Sequence, residues 1–176
     1  MALMALGIDI ILPAFDDIRS TFGLSDSGGQ ERQIITIYFI GLAIAQLFFG
    51  PLSDWFGRKP VLYIGISIYL IGAIGSALAP SFSLLMTARF VWGIGAAGPR
   101  VVAVAIIRDS FEGNRMAKAM SEIMAVFVLV PIVAPALGAG IIAIFPWQGI
   151  FWFCVIWAVA IGAWSLRLSE TLNPAY

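Results

Sequence analysis

The chain has 176 residues, 61% of them hydrophobic and 11% charged, against about 25% charged in an ordinary soluble domain. Ten Lys and Arg balance ten Asp and Glu, so no net field attracts nucleic acid or an acidic partner. Histidine is absent, which removes the commonest general base and metal ligand, and the single cysteine, Cys154, forms no internal disulfide. A soluble domain of this size would lack the polar surface to cover such a composition, which leaves an integral membrane protein.

A bilayer core of about 30 Å takes about 20 apolar residues to cross at 1.5 Å per residue. Six segments are predicted to do so: 1–15, 33–52, 60–79, 83–107, 118–145 and 147–168. The expectation is an all-α membrane protein of six transmembrane helices in one domain, 1–176. The first segment reaches only about 22 Å. It contains Asp9, has no Lys or Arg before it and no clear cleavage site after it, so it does not read as a signal peptide. Its start is expected to be trimmed, misassigned or naturally short. Pro60 suits the first turn of the third helix, and Ser81 or Ser83 the N-cap of the fourth. The breaks at Pro80 and Pro146 are short enough to make their flanking helices antiparallel hairpins. Arg58, Lys59, Arg108, Arg115, Lys118 and Arg167 lie in the connections after spans two, four and six. Only Arg19 and Arg32 lie opposite, among acids. The positive-inside rule then puts both chain ends in the cytoplasm.

Ionisable residues at membrane depth are costly and are functional candidates by default. Asp9 lies six residues before the outer end of the first span and Arg89 six after the outer start of the fourth, both about 9 Å deep. If those helices adjoin, the two charges compensate each other. Burial favours a neutral carboxyl and a guanidinium favours a charged one, so the pair suits proton switching; it equally suits a static ion pair that fixes packing. Arg100 follows Arg89 by eleven residues, about 20° from full helical registry. The two form a ladder able to hold an anionic substrate, unless Arg100 snorkels to the cytoplasmic interface. Pro131 and Pro135, one turn apart and followed by Gly138, bend the fifth helix and free its carbonyls. Gly93 to Gly98 spell G-x-G-x-x-G with Glu112 downstream. A dinucleotide site would need a preceding strand and a βαβ unit, so inside an apolar helix these glycines read as packing.

Between spans two and three stands Gly50-Pro51-Leu52-Ser53-Asp54-Trp55-Phe56-Gly57-Arg58-Lys59-Pro60. This resembles the cytoplasmic signature G-x-L-x-D-x-x-G-R-K of the major facilitator superfamily. Leu85 to Ala97, with Arg89 before a Gly/Ala-rich stretch, is similar to that family's fourth-helix motif, with Trp92 where a polar residue is frequent. Val130 to Ala139 resembles its antiporter motif, with Ala134 and Ala139 in place of two glycines. Asp9-Ile10-Ile11-Leu12-Pro13-Ala14 resembles the D-x-x-L-P-A of drug:proton antiporters. Ala105 to Asp109 and Trp147 to Phe151 resemble the bicyclomycin-resistance type of drug efflux transporter, and the resemblance runs on to Ser169-Glu170-Thr171-Leu172, similar to the stretch that commonly follows helix six.

The resemblance implies the N-terminal half-bundle of a major facilitator fold, covering nearly the whole chain. It implies proton-coupled efflux of small drug-like molecules across a bacterial inner membrane, with a lipid bilayer and a second six-helix half as partners. Asp9 would be the titrating group and Arg89 its switchable partner. Gly50, Asp54, Gly57, Arg58 and Asp109 would form a cytoplasmic latch, and Pro131, Pro135 and Gly138 the antiporter-motif helix. Tyr38, Phe39, Trp92 and Arg100 are candidates for the substrate pocket, while Trp147, Trp152, Trp157 and Trp164 read as interfacial belt. No metal site or cofactor is expected, with the proton as coupling ion, and no enzyme chemistry. Two alternatives stand: an importer or symporter of a small polar or anionic solute on the same fold, and a standalone six-helix interaction or assembly protein.

Overall fold

The computed structural model describes residues 2–24, 29–167 and 170; of the sequence features above, Met1, Leu168, Ser169, Thr171 and Leu172 lie outside them. The described residues form seven α-helices: α1 (Ala2–Asp9), α2 (Phe15–Phe22), α3 (Gln30–Phe56), α4 (Arg58–Ala77), α5 (Phe82–Ser110), α6 (Gly113–Ile142) and α7 (Gln148–Ser165). Helices α3 to α7 are the five long and apolar enough to cross a membrane.

The first segment differs from the expected single helix over 1–15. Ile10 N–H still returns to Leu6 O at 3.2 Å, but the next bond is the three-residue Ala14 N–H to Ile11 O, 2.9 Å. Leu12–Ala14 is a 3-10 turn because Pro13 has no N–H for the Asp9 carbonyl. The chain then resumes as α2, with Asp16 and Asp17 in its first turn, where acids favour a helix start. It stops at Gly23, whose φ of 62° is the left-handed conformation that glycine tolerates. Arg19 fastens α2 to α3 through Glu31, 3.1 Å away.

Two further helices take in charged residues that the apolar runs left out. Helix α3 starts at Gln30 and α6 at Gly113, earlier than the 33 and 118 read from hydropathy. Ser81 is the N-cap of α5, its Oγ accepting from Leu84 N–H at 3.3 Å.

Helix α5 lies between α3 and α4, and glycines set both spacings. A Cβ on Gly41 would stand 2.3 Å from Phe90 O, and one on Gly93 2.1 Å from Tyr38 O. On the other side, a Cβ on Gly95 would meet Tyr69 N at 2.1 Å, and one on Gly72 would meet Trp92 Cα at 2.4 Å. The G-x-G-x-x-G is therefore a two-sided packing surface, Gly93 toward α3 and Gly95 and Gly98 toward α4, as small residues act between membrane helices. Helix α5 passes through Pro99 without interruption. Helix α7 packs on α4, while α1 touches α5, α6 and α7. Helix α6 buries only Ala134 and Gly138. A Cβ on Gly138 would lie 2.2 Å from Ile10 O, so the proline-rich helix presses on the break after α1.

Candidate transport site

Arg89 is 1% exposed. Its guanidinium sits in a box of three rings, with the carbon centre 4.7 Å from Trp92, 5.2 Å from Phe151 and 5.9 Å from Tyr38. Buried cation–π contacts of this kind contribute up to about 2 kcal/mol each. Nη1 donates to Gly7 O at 2.9 Å, the carbonyl set free where α1 stops. Nε and Nη2 have no hydrogen-bond partner.

No ion pair joins Arg89 and Asp9 among the described residues. The helices adjoin as the depth argument requires, but Arg89 is held by a main-chain oxygen two residues before Asp9 and by aromatic faces. Matching depth fixed height, not azimuth: residues two apart on a helix point about 200° apart. Asp9 is half-buried at the last residue of α1.

Arg89 has company on that backbone. Tyr38 Oη donates to Met4 O at 3.2 Å and Tyr69 Oη to Leu3 O at 3.3 Å. Side chains from α3, α4 and α5 thus hold three carbonyls of one short helix. Gly7 keeps the contact close, since a Cβ there would stand 2.9 Å from Tyr38 Oη. Tyr38 and Trp92 are fully buried, so here they enclose Arg89 and do not line an open pocket. Phe39 is 44% exposed and meets Tyr38 edge-on. Trp147 is 5% exposed and departs from the belt reading: its Nε1 donates to Thr21 Oγ1 at 3.1 Å, tying α7 to α2.

Arg100 does not continue a ladder. It is half-buried, with Nη1 3.5 Å from Met4 Sδ and its guanidinium 5.9 Å from the Phe127 ring.

At the other end of the bundle Arg58 gathers the ends of three helices. Nε donates to Asp109 Oδ2 at 2.8 Å and Nη1 to Ser53 Oγ at 2.8 Å and to Asp54. Gly50 lies one turn before Asp54 on α3, its carbonyl accepting from Ser53 Oγ at 2.8 Å. Gly57, with φ 96°, makes the turn from α3 to α4. The sequence reading gave no role to Glu170. Its carboxylate accepts from the Arg58 and Lys59 amides, both 3.0 Å, and so caps α4 as an anion caps a helix N-terminus. Nor did that reading single out Gly7 or Met4, where neither charge nor periodicity marks a residue that acts through its main chain or its sulfur.

The described residues form helices alone, five of them long and apolar enough to cross a membrane and packed through glycines around a caged arginine, the build of a multi-pass membrane protein. The sequence matches the Major Facilitator Superfamily over residues 1–175, and the chain belongs to that family and is no enzyme. It is 35% identical over 173 residues to the multidrug resistance protein MdtL of Escherichia coli O81 (strain ED1a) and to that of Shigella dysenteriae serotype 1 (strain Sd197). Each match covers 98% of this chain and 44% of the relative, so the chain spans less than half the length of these curated relatives. Among solved structures it is similar to a D-xylose-proton symporter, with a TM-score of 0.83 at 17% identity over 97% of this chain and 46% of that one. It is also similar to the human organic anion transporter MFSD10 (TETRAN), with a TM-score of 0.71 at 22% identity over 98% and 46%. At those identities the likeness is one of fold.

Proposed function

We propose that the chain is the N-terminal six-helix half of an exporter of small drug-like molecules, driven by protons across a bacterial inner membrane. The observation that carries this is the 35% identity to multidrug resistance proteins over 98% of the chain. On this reading α1 and the 3-10 turn make the short first span, and both chain ends are cytoplasmic. A second six-helix half, in the same chain or another copy, completes the cavity, as substrate sites in this architecture lie between two repeats.

Asp9 is the proton carrier in this proposal and Arg89 the group that senses it. Arg89 holds Gly7 O while two of its nitrogens stay unpartnered, and Asp9 stands at a hinge made by Pro13. Turning of that hinge exchanges the carbonyl for the carboxylate when Asp9 is ionised, and protonation returns it. The exchange moves α1 against α5, a two-position element of the kind coupling requires. Arg58 with Asp54, Asp109 and the Glu170 cap acts as the cytoplasmic latch, and α6, pressed on the hinge through Gly138, carries the movement outward.

The test is drug-dependent proton flux in everted vesicles containing the chain with a second half. Asp9→Asn is expected to abolish flux while protein remains in the membrane. Flux that keeps its full dependence on the pH gradient in Asp9→Asn excludes Asp9 as the coupling group.

A further inference from the structure

Arg100 is a cation inside the bundle without an anion. Among the described residues no carboxylate lies within ion-pairing distance of it. Its two contacts, the Met4 sulfur and the Phe127 ring face, are weak acceptors for a full charge. Snorkelling does not account for its place. Arg89 and Arg100 are about 16 Å apart along α5, yet their partners Gly7 and Met4 are about 5 Å apart along α1. The Arg100 guanidinium lies inside the bundle against α1 and α6.

Arg100 also lines a groove of about 310 Å³ between α3 and α5, with Gln46, Ser53, Arg108 and the apolar Val104 among its walls. Asp54 and Asp109 line the groove too, but both are engaged by Arg58. Three arginines against two carboxylates leave the groove with one positive charge in excess. Its volume equals that of about ten waters, room for one oxyanion and a few carbons.

We propose that Arg100, supported by Arg108, binds a single oxyanion, the carboxylate or phosphate of an amphiphile whose apolar part lies along Val104 and Phe127. That this amphiphile is cargo rests on the export reading; the site itself does not. A phospholipid headgroup offers the same chemistry as a solute, and the experiment separates the two.

The chain in phosphatidylcholine nanodiscs is titrated calorimetrically with salicylate and with its neutral counterpart salicylamide. Salicylate is expected to bind about tenfold more tightly than salicylamide. Arg100→Gln is expected to raise the salicylate Kd about tenfold or more and leave salicylamide unchanged, with Arg100→Lys recovering part of the loss. Arg108→Gln, at an exposed position where folding is not at stake, is expected to raise it by a smaller factor. Salicylate binding suppressed by phosphatidylglycerol in the nanodisc identifies a lipid headgroup as the occupant, and binding indifferent to it identifies a solute; either supports the site. Equal salicylate affinity in wild type and Arg100→Gln, or none in phosphatidylcholine, overturns it. A cationic drug not exported by vesicles in which salicylate still binds defeats the export reading alone.

Discussion

Arg89 shows what a buried cation needs when no acid meets it. One carbonyl and three ring faces replace a counter-ion, and the box closes only because Gly7 lets Tyr38 approach α1. Arg89→Ala is expected to destabilise the chain by about 2–4 kcal/mol, from the charged hydrogen bond and the lost ring contacts, read as thermal unfolding in detergent. A sharper test pairs two small changes. Gly7→Ala forces a methyl group against Tyr38 Oη and is expected to lower stability, while adding Tyr38→Phe removes the oxygen and recovers part of the loss. Independent, additive losses would show that the two residues do not share the contact. The sequence marked Arg89, Asp9 and Tyr38 through charge, depth and family resemblance. It could not show that Arg89 binds the main chain at Gly7, because a carbonyl carries no residue-type signal.

The helices were legible where hydropathy runs clean and less so at their ends. Helices α4 and α7 match the predicted spans within about three residues, while α3 and α6 begin earlier and take in Glu31, Arg32 and Arg115. Those charges sit in first turns, where helix geometry tolerates them and a hydropathy window does not. Between elements, the glycines of α5 carry the packing. Gly95→Leu would drive a side chain into the backbone of Tyr69, and loss of the folded state in a detergent melt is the expected outcome. At the end of the bundle where Arg58 lies, Glu170 occupies the N-terminus of α4. Glu170→Ala is expected to speed hydrogen exchange at the Arg58 and Lys59 amides, each of which loses a carboxylate acceptor. Unchanged exchange at both amides would remove Glu170 from the latch.

For the molecule as a whole, the cation asymmetry gives a direction that labelling can check. Cysteines introduced at Arg58 and Arg115 are expected to resist an impermeant reagent in intact cells, while one at the exposed Asp17 reacts. The reverse pattern would invert the topology. Completeness is a separate matter of buried surface. Helix α6 leaves Val126, Val128, Leu129 and Ile132 exposed. Reconstituted as a monomer, the chain is expected to show no drug-dependent proton flux, and flux from a species of demonstrated monomeric mass would refute this.

The grip on Leu3, Met4 and Gly7 has a genetic consequence. Carbonyl oxygens are common to all twenty residues, so most side-chain replacements along α1 leave their three donors satisfied. In a saturation screen the carbonyl grip should therefore be lost through alleles at Tyr38, Tyr69 and Arg89 on other helices. Along α1, where Leu3, Met4, Ala5 and Leu6 are buried, damaging alleles should be those that change size or polarity, with apolar replacements of like volume tolerated.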